Sequence, residues 1–295
     1  MNIKIGTRKS PMAVRQAEIV REKLRAGFPD DEFEIVKIST EGDIRKDMPL
    51  KSFGGKGVFI KEIEAALIKN EIDIAVHSAK DMPTQLPNGL KVGAVLERDW
   101  VEDVIVSSTD DCAAWKIIGT GSARREYQLR EIYPNAEIKP IRGNVGTRIE
   151  KLKHGEYDAI MLSAASVQRM RLYEDSELCF LPFNPKEFIP AAGQGIIVVE
   201  AREGYAEKYL KILNDNVSSR MLSLEREFLN NVGGGCHDPA GAYAYIEGDE
   251  CVMRTLLYRN GKKASLTLSG NADEPLGALL ARQSIEITGG NSNER

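Results

Sequence analysis

A lysine and an aspartate stand side by side where a short apolar segment ends, in Val76-His77-Ser78-Ala79-Lys80-Asp81-Met82-Pro83. Residues 72–76 are apolar and β-branched, which predicts a buried strand. Pro83 and the turn at 87–89 prevent a helix from following at once. We therefore expect Asp81 on a loop at the carboxyl end of a strand, where open α/β sheets usually bind ligands. For a lone lysine–aspartate pair, the alternative is a solvated surface ion pair.

Arginines recur where a predicted strand passes into a predicted helix. A cation at a helix amino terminus opposes the macrodipole by about 0.3–1 kcal/mol, and departures from local preference tend to mark functional sites. An anion removes the conflict, because helix N–H groups and guanidinium groups then both face negative charge. We expect a site for a ligand with several carboxylates or phosphates, with scattered solvated arginines as the alternative. The arginines are Arg8, Arg124, Arg125, Arg142 and Arg148.

Three glycine-rich segments interrupt the predicted elements. Gly54-Gly55-Lys56-Gly57 lacks the Ser or Thr that follows the lysine of a phosphate-binding P-loop, so we expect a mobile loop over the site and disfavour a nucleotide-dependent kinase. Gly233-Gly234-Gly235-Cys236-His237 predicts an accessible thiol whose thiolate backbone N–H groups would favour. A helix end with an incidental buried cysteine is the alternative. Residues 191–195 predict a crossover between domains.

Composition excludes several classes of function. The 295 residues carry a formal net charge of −4, which gives no reason to expect nucleic-acid binding. No apolar run approaches the roughly 20 residues that span a bilayer, and we expect no signal peptide, because the first residues lead straight into a strand pattern. The four cysteines are scattered and the three histidines lie far apart, so we expect free thiols in a reducing cytoplasm and no metal site.

The elements that must position these residues alternate between strand and helix over the first two-thirds of the chain. Strands at 3–7 and 72–76 and helices at 11–26 and 58–69 form one group, and a similar rhythm restarts at residue 116. After a long amphipathic helix, three alternating strands and a last helix follow. The expected fold is two α/β domains with mixed sheets and a small α+β domain. We place domain 1 at 1–96 and 196–214, domain 2 at 97–195 and domain 3 at 215–295.

Taken together, these segments resemble the porphobilinogen deaminase family, also called hydroxymethylbilane synthase. Their order and spacing match from residue 3 to about 245. The matching motifs are Gly6-Thr7-Arg8-Lys9-Ser10-Pro11, Gly54-Gly55-Lys56-Gly57, Phe59-Ile60-Lys61-Glu62, Val76-His77-Ser78-Ala79-Lys80-Asp81-Met82-Pro83, Gly119-Thr120-Gly121-Ser122-Ala123-Arg124-Arg125, Ile141-Arg142-Gly143-Asn144-Val145-Gly146-Thr147-Arg148, Gly193-Gln194-Gly195 and Gly235-Cys236.

The resemblance implies a fold, a cofactor and a reaction. The first two domains would resemble type II periplasmic binding proteins, and the third would carry dipyrromethane as a thioether on Cys236. The family joins four porphobilinogen molecules head to tail onto that cofactor, releasing ammonia each time, and hydrolyses off the linear tetrapyrrole hydroxymethylbilane. We accordingly expect a cytoplasmic monomer of tetrapyrrole (haem) biosynthesis, with porphobilinogen as substrate and neither nucleic-acid nor membrane partners.

The resemblance also assigns roles to residues. Asp81 matches the catalytic aspartate, whose carboxylate would stabilise the cationic azafulvene left by ammonia and shuttle protons. The positions that match cofactor binding are Ser78, Lys80, Thr120, Ser122, Arg124, Arg125, Arg142 and Asn144, besides Cys236. Those that match substrate binding are Arg8, Arg142, Arg148 and Arg169.

The sequence departs from the family pattern at two places. Ala165-Ser166-Val167 stands where the family usually has Ala-Gly-Leu, and Asp238 stands where a small or apolar residue is commoner. The competing function is a non-catalytic protein of the same fold that binds a carboxylate ligand. Such a protein needs no third domain with a glycine-flanked cysteine, and it would release no ammonia from porphobilinogen.

Overall fold

The computed structural model describes residues 1–40, 60–233 and 239–289. The predicted Gly54-Gly55-Lys56-Gly57 loop, Cys236 and Asp238 lie outside these residues. Contacts divide the chain into two units, Met1–Asp99 with Gly195–Arg220 and Trp100–Gln194 with Met221–Arg295. The division into three domains stays a prediction. Strands and helices are numbered below along the described chain.

The first unit contains a five-stranded mixed sheet in the order β2-β1-β3-β10-β4. Strand β1 is parallel to β2 and β3, whereas β10 is antiparallel to β3 and β4. Apolar side chains of β1, β3 and β10 form its core with two helices. The strands are β1 (Asn2–Arg8), β2 (Glu32–Ile38), β3 (Ile74–Ser78), β4 (Leu90–Val95) and β10 (Ile197–Arg202), and the helices are α1 (Pro11–Gly27), α2 (Lys61–Ile68) and α6 (Glu207–Leu213).

The second unit begins with another five-stranded mixed sheet, in the order β7-β6-β8-β5-β9. Strand β6 is parallel to β7 and β8, and β5 is antiparallel to β8 and β9. The central strands β5 and β8 are buried on both faces, which explains their continuous apolar sequence. The strands are β5 (Asp103–Ser107), β6 (Ile117–Gly119), β7 (Glu137–Lys139), β8 (Ala159–Ser163) and β9 (Cys179–Pro182), and the helices are α3 (Ala123–Ile132), α4 (Val145–Lys153) and α5 (Ala164–Arg169).

A three-stranded antiparallel sheet completes the second unit. Its order is β11-β12-β13, and two helices cover its apolar face around Phe228, Met253 and Leu280. Both hairpins have two-residue turns, and Asn260-Gly261 takes the left-handed backbone that such turns require. The elements are α7 (Asn216–Asn231), whose residues 216–220 belong to the first unit, β11 (Ala240–Glu247), β12 (Glu250–Arg259), β13 (Lys262–Gly270) and α8 (Leu276–Thr288).

The two mixed sheets with their helices and the antiparallel three-stranded sheet confirm the predicted fold class, α/β with mixed sheets plus a small α+β part. Boundaries differ locally: the strand predicted at 72–76 is Ile74–Ser78, so His77 and Ser78 belong to β3. Among the described residues, no helix is both long enough and apolar enough to cross a membrane.

Candidate functional site

In the first unit, two of the predicted site residues end neighbouring parallel strands. Arg8 is the last residue of β1 and Ser78 the last of β3, and the pairing of Ile5 with Ile74 puts both ends at the same edge of the sheet. Helix α1 starts at this edge, where Ser10 accepts a hydrogen bond from the backbone N–H of Ala13. The edge therefore combines a guanidinium with the positive end of a helix.

Lys80 and Asp81 belong to a single turn of 3-10 helix, Ala79–Asp81, that directly follows β3. The backbone N–H of Ala79 donates to the carbonyl of Ile196 at 3.0 Å, which fixes the start of the turn against the strand beside it. Ala79 and Met82 are buried on either side, while Asp81 is exposed. The turn is thus held by its apolar neighbours, and the Asp81 carboxylate is left accessible.

Three titratable side chains of the first unit lie on β3 and on two elements that contact it, and sequence analysis singled out neither Glu64 nor Glu200. His77 on β3 and Glu200 on β10 are both buried, with His77 Nε2 3.1 Å from a Glu200 carboxylate oxygen. Burial raises the pKa of Glu64 on α2, and the neighbouring charge of Glu200 raises it further. His77 lies on β3, the strand that leads into the turn with Lys80 and Asp81, whereas Glu64 and Glu200 lie on α2 and β10.

In the second unit, polar residues follow the ends of parallel strands in the same way. Thr120 and Ser122 come after β6, and Ser122 caps α3 by accepting from the backbone N–H of Arg125 at 3.4 Å. The Thr120 hydroxyl accepts from the backbone N–H of Ser122 at 3.2 Å. These two hydroxyls shape the turn that starts the helix.

Arg142, Asn144 and Arg148 meet at the start of α4. The sequence predicts a strand at 138–141, but strand β7 is Glu137–Lys139, because Pro140 cannot donate a ladder hydrogen bond. Asn144 caps the helix through the backbone N–H of Thr147, and Nε of Arg148 donates to the carbonyl of Gly143 at 2.9 Å. Arg142 is exposed in the turn before the cap. Arg142 and Arg148 therefore both lie at the amino terminus of α4.

Arg169 is placed differently, as the last residue of the six-residue helix α5 that follows β8. Ser166 stands where the family usually has glycine. Its hydroxyl lies 2.7 Å from that of Ser163, and the two share a hydrogen bond. Ser166 thus makes its own polar contact in the first turn, where a glycine would make none.

Arg124 and Arg125 lie in the first turn of α3, and the anion beside them is Asp103 on β5. Arg124 Nη1 donates to Asp103 at 2.6 Å and to the Ile189 carbonyl at 2.7 Å. Arg125 donates to the same carboxylate through Nε at 2.9 Å and Nη2 at 2.6 Å. Gln194 Nε2 adds a hydrogen bond to it at 3.0 Å. The conflict with the helix dipole is therefore relieved from within the chain.

Sequence reasoning did not single out Asp103, although a signal was present. A carboxylate at the start of a strand that is otherwise apolar must be buried with a partner, because an unpaired buried charge is too costly. Burial acts to raise the pKa of Asp103, but the charges of Arg124 and Arg125 prevail and hold it well below its usual range. Asp103 is therefore ionised at neutral pH, and the cluster carries two positive charges against one negative.

The arrangement can bind anions at the carboxyl edge of each sheet. A dipyrromethane carries acetate and propionate carboxylates, so its chemistry fits guanidiniums, capped helix amino termini and a buried cluster with surplus positive charge. Cys236, the predicted attachment point, lies outside the described residues. Of the other cysteines, Cys112 is exposed, Cys179 is half-buried and Cys251 is buried.

Comparison with known proteins gives matches over most of the chain. The family model described as "Porphobilinogen deaminase, dipyromethane cofactor binding domain" matches residues 3–209. A porphobilinogen deaminase of Acetivibrio thermocellus is 39% identical over 291 residues, covering 97% of this chain and 99% of that protein. One of Alkaliphilus oremlandii is 40% identical over 289 residues, covering 96% of each.

Solved structures give weaker likenesses. The effector binding domain of BenM with its effector benzoate is 16% identical, with a TM-score of 0.44 over 72% of this chain and 88% of that one. The periplasmic VFT2 domain of Bordetella pertussis BvgS is 17% identical, with a TM-score of 0.40 over 72% and 85%. The match to the family model and the two similar sequences show that this chain belongs to the porphobilinogen deaminase family.

Proposed function

We propose that Asp81 is the catalytic carboxylate with which this chain performs the reaction of its family. The chain condenses four porphobilinogen molecules head to tail, releases ammonia at each addition and hydrolyses off hydroxymethylbilane. The single observation that carries the residue assignment is the Asp81 turn. It is fixed at the carboxyl edge of the first sheet by buried neighbours and a backbone hydrogen bond, with its carboxylate exposed.

The covalent dipyrromethane supplies the pyrrole onto which the first substrate is joined, and we assign its attachment to Cys236. Side chains of the second unit are suited to hold its carboxylates. Those proposed for the cofactor are Thr120, Ser122, Arg124, Arg125, Arg142 and Asn144, together with Ser78 and Lys80 of the first unit. Arg8, Arg142, Arg148 and Arg169 are proposed to hold the carboxylates of the substrate, because guanidinium groups bind carboxylates bidentately.

The Asp81 carboxylate acts on charge that appears only during reaction. When ammonia leaves porphobilinogen, positive charge develops on the pyrrole and its methylene, and a fixed carboxylate stabilises it. The same carboxylate can accept a hydrogen bond from the pyrrole N–H and move a proton to or from the reacting ring. Because the turn is fixed before substrate arrives, little reorganisation is needed at that moment.

We propose a cytoplasmic monomer, as the family resemblance implies. The net charge of −4 argues against a nucleic-acid partner, and scattered cysteines suit a reducing compartment. Sedimentation equilibrium would test the monomer, which a concentration-dependent dimer would contradict.

The function is tested by mixing purified chain with porphobilinogen and measuring ammonia and substrate together. We expect one ammonia for each porphobilinogen consumed, with a linear tetrapyrrole as product. A protein that only binds carboxylate ligands would bind porphobilinogen without releasing ammonia. That result would leave the family assignment intact and overturn the activity assigned to this chain.

A further inference from the structure

We propose that Asp103 is a positioning residue, which holds Arg124 and Arg125 in the orientation that binds the carboxylates of the dipyrromethane. This role rests on the proposed function of the two arginines. Asp103 itself would touch neither cofactor nor substrate, because its side chain is completely buried and its described contacts are with Arg124, Arg125 and Gln194.

The sheet places Asp103 at the edge where the predicted ligand residues gather. Strand β5 is antiparallel to β8, and Asp103 at its start pairs with Ser163 at the end of β8. The start of β5 therefore lies level with the carboxyl ends of β6, β7 and β8. A carboxylate at this point lies beneath the first turn of α3, within reach of both arginines.

The hydrogen bonds fix the two guanidiniums and still leave donors for a ligand. Each guanidinium has five N–H groups. In its described side-chain hydrogen bonds, Arg124 donates through Nη1 to Asp103 and to the Ile189 carbonyl, and these bonds set the orientation of the guanidinium. Its Nε and Nη2 take no part in these bonds. Arg125 is held through Nε and Nη2, and its Nη1 donates to the Met161 carbonyl at 3.1 Å.

The balance of charge points to an anionic ligand. Arg124 and Arg125 are 4% and 7% exposed, and Asp103 is the one carboxylate among their described hydrogen-bond partners. One negative charge cannot neutralise two buried cations. A ligand carboxylate that reaches this cluster supplies the second negative charge, and the fixed guanidiniums lose little side-chain entropy on binding it.

The test measures how fast the cofactor becomes attached. Full-length chain is isolated from cells that cannot make porphobilinogen, mixed with porphobilinogen, and followed by intact-mass spectrometry until the two-pyrrole adduct stops accumulating. We expect Asp103→Asn to load roughly ten- to a hundredfold more slowly, the size expected for a charged hydrogen bond. Asp103→Glu, which keeps the charge, should recover part of the rate.

A double-mutant cycle separates positioning from general loss of structure. If Asp103 acts through the two arginines, Asp103→Asn should change the slow loading of Arg124→Leu/Arg125→Leu by less than about twofold. The variant that combines all three substitutions removes the two arginine charges and the Asp103 charge together. It therefore leaves no unpaired buried charge of this cluster to destabilise the fold. Leu152→Ala is the control, because it opens a cavity in the core of the same unit on the last turn of α4 and should load at the wild-type rate once folded.

The outcomes are distinct. Wild-type loading by Asp103→Asn, an equal loss in the arginine-deleted background, or equally slow loading by Leu152→Ala would overturn the role of Asp103. If wild-type chain gains no adduct at all, the proposed function fails instead. Urea unfolding of every variant identifies the folded fraction to which each rate refers.

Discussion

At the residue scale, two aspartates of the chain show how environment divides roles between identical side chains. Asp81 is exposed on a turn whose neighbours are buried, so its charge is available to a ligand. Asp103 is fully buried between Arg124 and Arg125, and its carboxylate forms ion pairs with both of them. In the sequence both are aspartates near strand ends, and the fold gives them different environments.

Asp81→Ala is expected to lower turnover of porphobilinogen by at least about 10²–10³, because one preorganised electrostatic group is typically worth that much. Asp81→Glu should keep a small residual activity, since the charge remains but is displaced. Steady-state consumption of porphobilinogen by the cofactor-loaded enzyme measures both.

The matched control is Asp110→Ala, which also removes an exposed aspartate and should leave turnover unchanged. The free energy of unfolding of Asp81→Ala should stay near that of wild type, because the side chain is exposed. Near-wild-type turnover by Asp81→Ala would show that the catalytic carboxylate lies elsewhere.

The arginines are expected to divide into two groups by their effect on the cofactor. Arg124→Leu or Arg125→Leu should slow attachment of the dipyrromethane. Arg8→Leu or Arg148→Leu should leave attachment intact and slow elongation by roughly ten- to a hundredfold, since each charged hydrogen bond contributes about 1.5–3 kcal/mol. Intact mass reports attachment, and rapid-quench kinetics report elongation.

The structure adds a control that sequence reasoning did not foresee. Removing Arg124 or Arg125 leaves the buried Asp103 with one partner fewer. Because breaking a buried ion pair typically costs several kcal/mol, we expect these variants to have a lower free energy of unfolding. Attachment must therefore be compared for the folded fraction alone, determined by urea unfolding. Identical attachment and identical elongation kinetics in both groups would contradict the division.

At the element scale, the sequence predicted what depends on neighbouring residues and missed what depends on distant ones. The Ser10 and Ser122 caps and the Asn260-Gly261 hairpin are local features, because each depends on the types of a few neighbouring residues. The partnership of Asp103 with Arg124 joins β5 to α3 across the sheet, and no local pattern encodes such a pair. The end of β7 at Lys139 was locally encoded by Pro140, and the apolar Ile141 directly after the proline suggested a longer strand.

The turn before α4 gives an element-scale prediction. Gly143 has φ +109, and a Cβ there would lie 2.8 Å from the Thr147 side chain, whereas Gly155 has φ +74 with open space around it. Gly155→Ala should therefore lower the free energy of unfolding by about 1–2 kcal/mol, the cost of left-handed backbone. Gly143→Ala should lower it further, because the Thr147 side chain must also shift.

The same pair of variants tests whether this turn serves the ligand. The Gly143 carbonyl receives the hydrogen bond from Arg148, so moving it should also slow elongation, and Gly155→Ala should not. Urea unfolding and elongation kinetics of the two variants make the comparison. Equal kinetics after equal folding would place the turn outside the substrate site.

At the scale of the whole molecule, the decisive question is where one covalent group is attached. All four cysteines belong to the second unit, so the unit alone does not select among them. Solvent access separates the cysteines. Cys251 is buried, with its sulfur 3.7 Å from that of Met221, and Cys179 is half-buried in β9. Exposed Cys112 is therefore the competitor that a test of Cys236 must exclude.

Intact-mass spectrometry of the denatured protein is expected to show a two-pyrrole adduct on Cys236 alone. A thioether survives denaturation, so the adduct should appear in wild type and in Cys112→Ser, and be absent from Cys236→Ser. Cys112 lies beside Asp111, whose side chain accepts a hydrogen bond from the backbone N–H of Ala113. For Cys236 the sequence predicts an accessible thiol, because three glycines precede it. An unmodified mass for active wild type, or an adduct that persists in Cys236→Ser and disappears in Cys112→Ser, would move the attachment point away from Cys236.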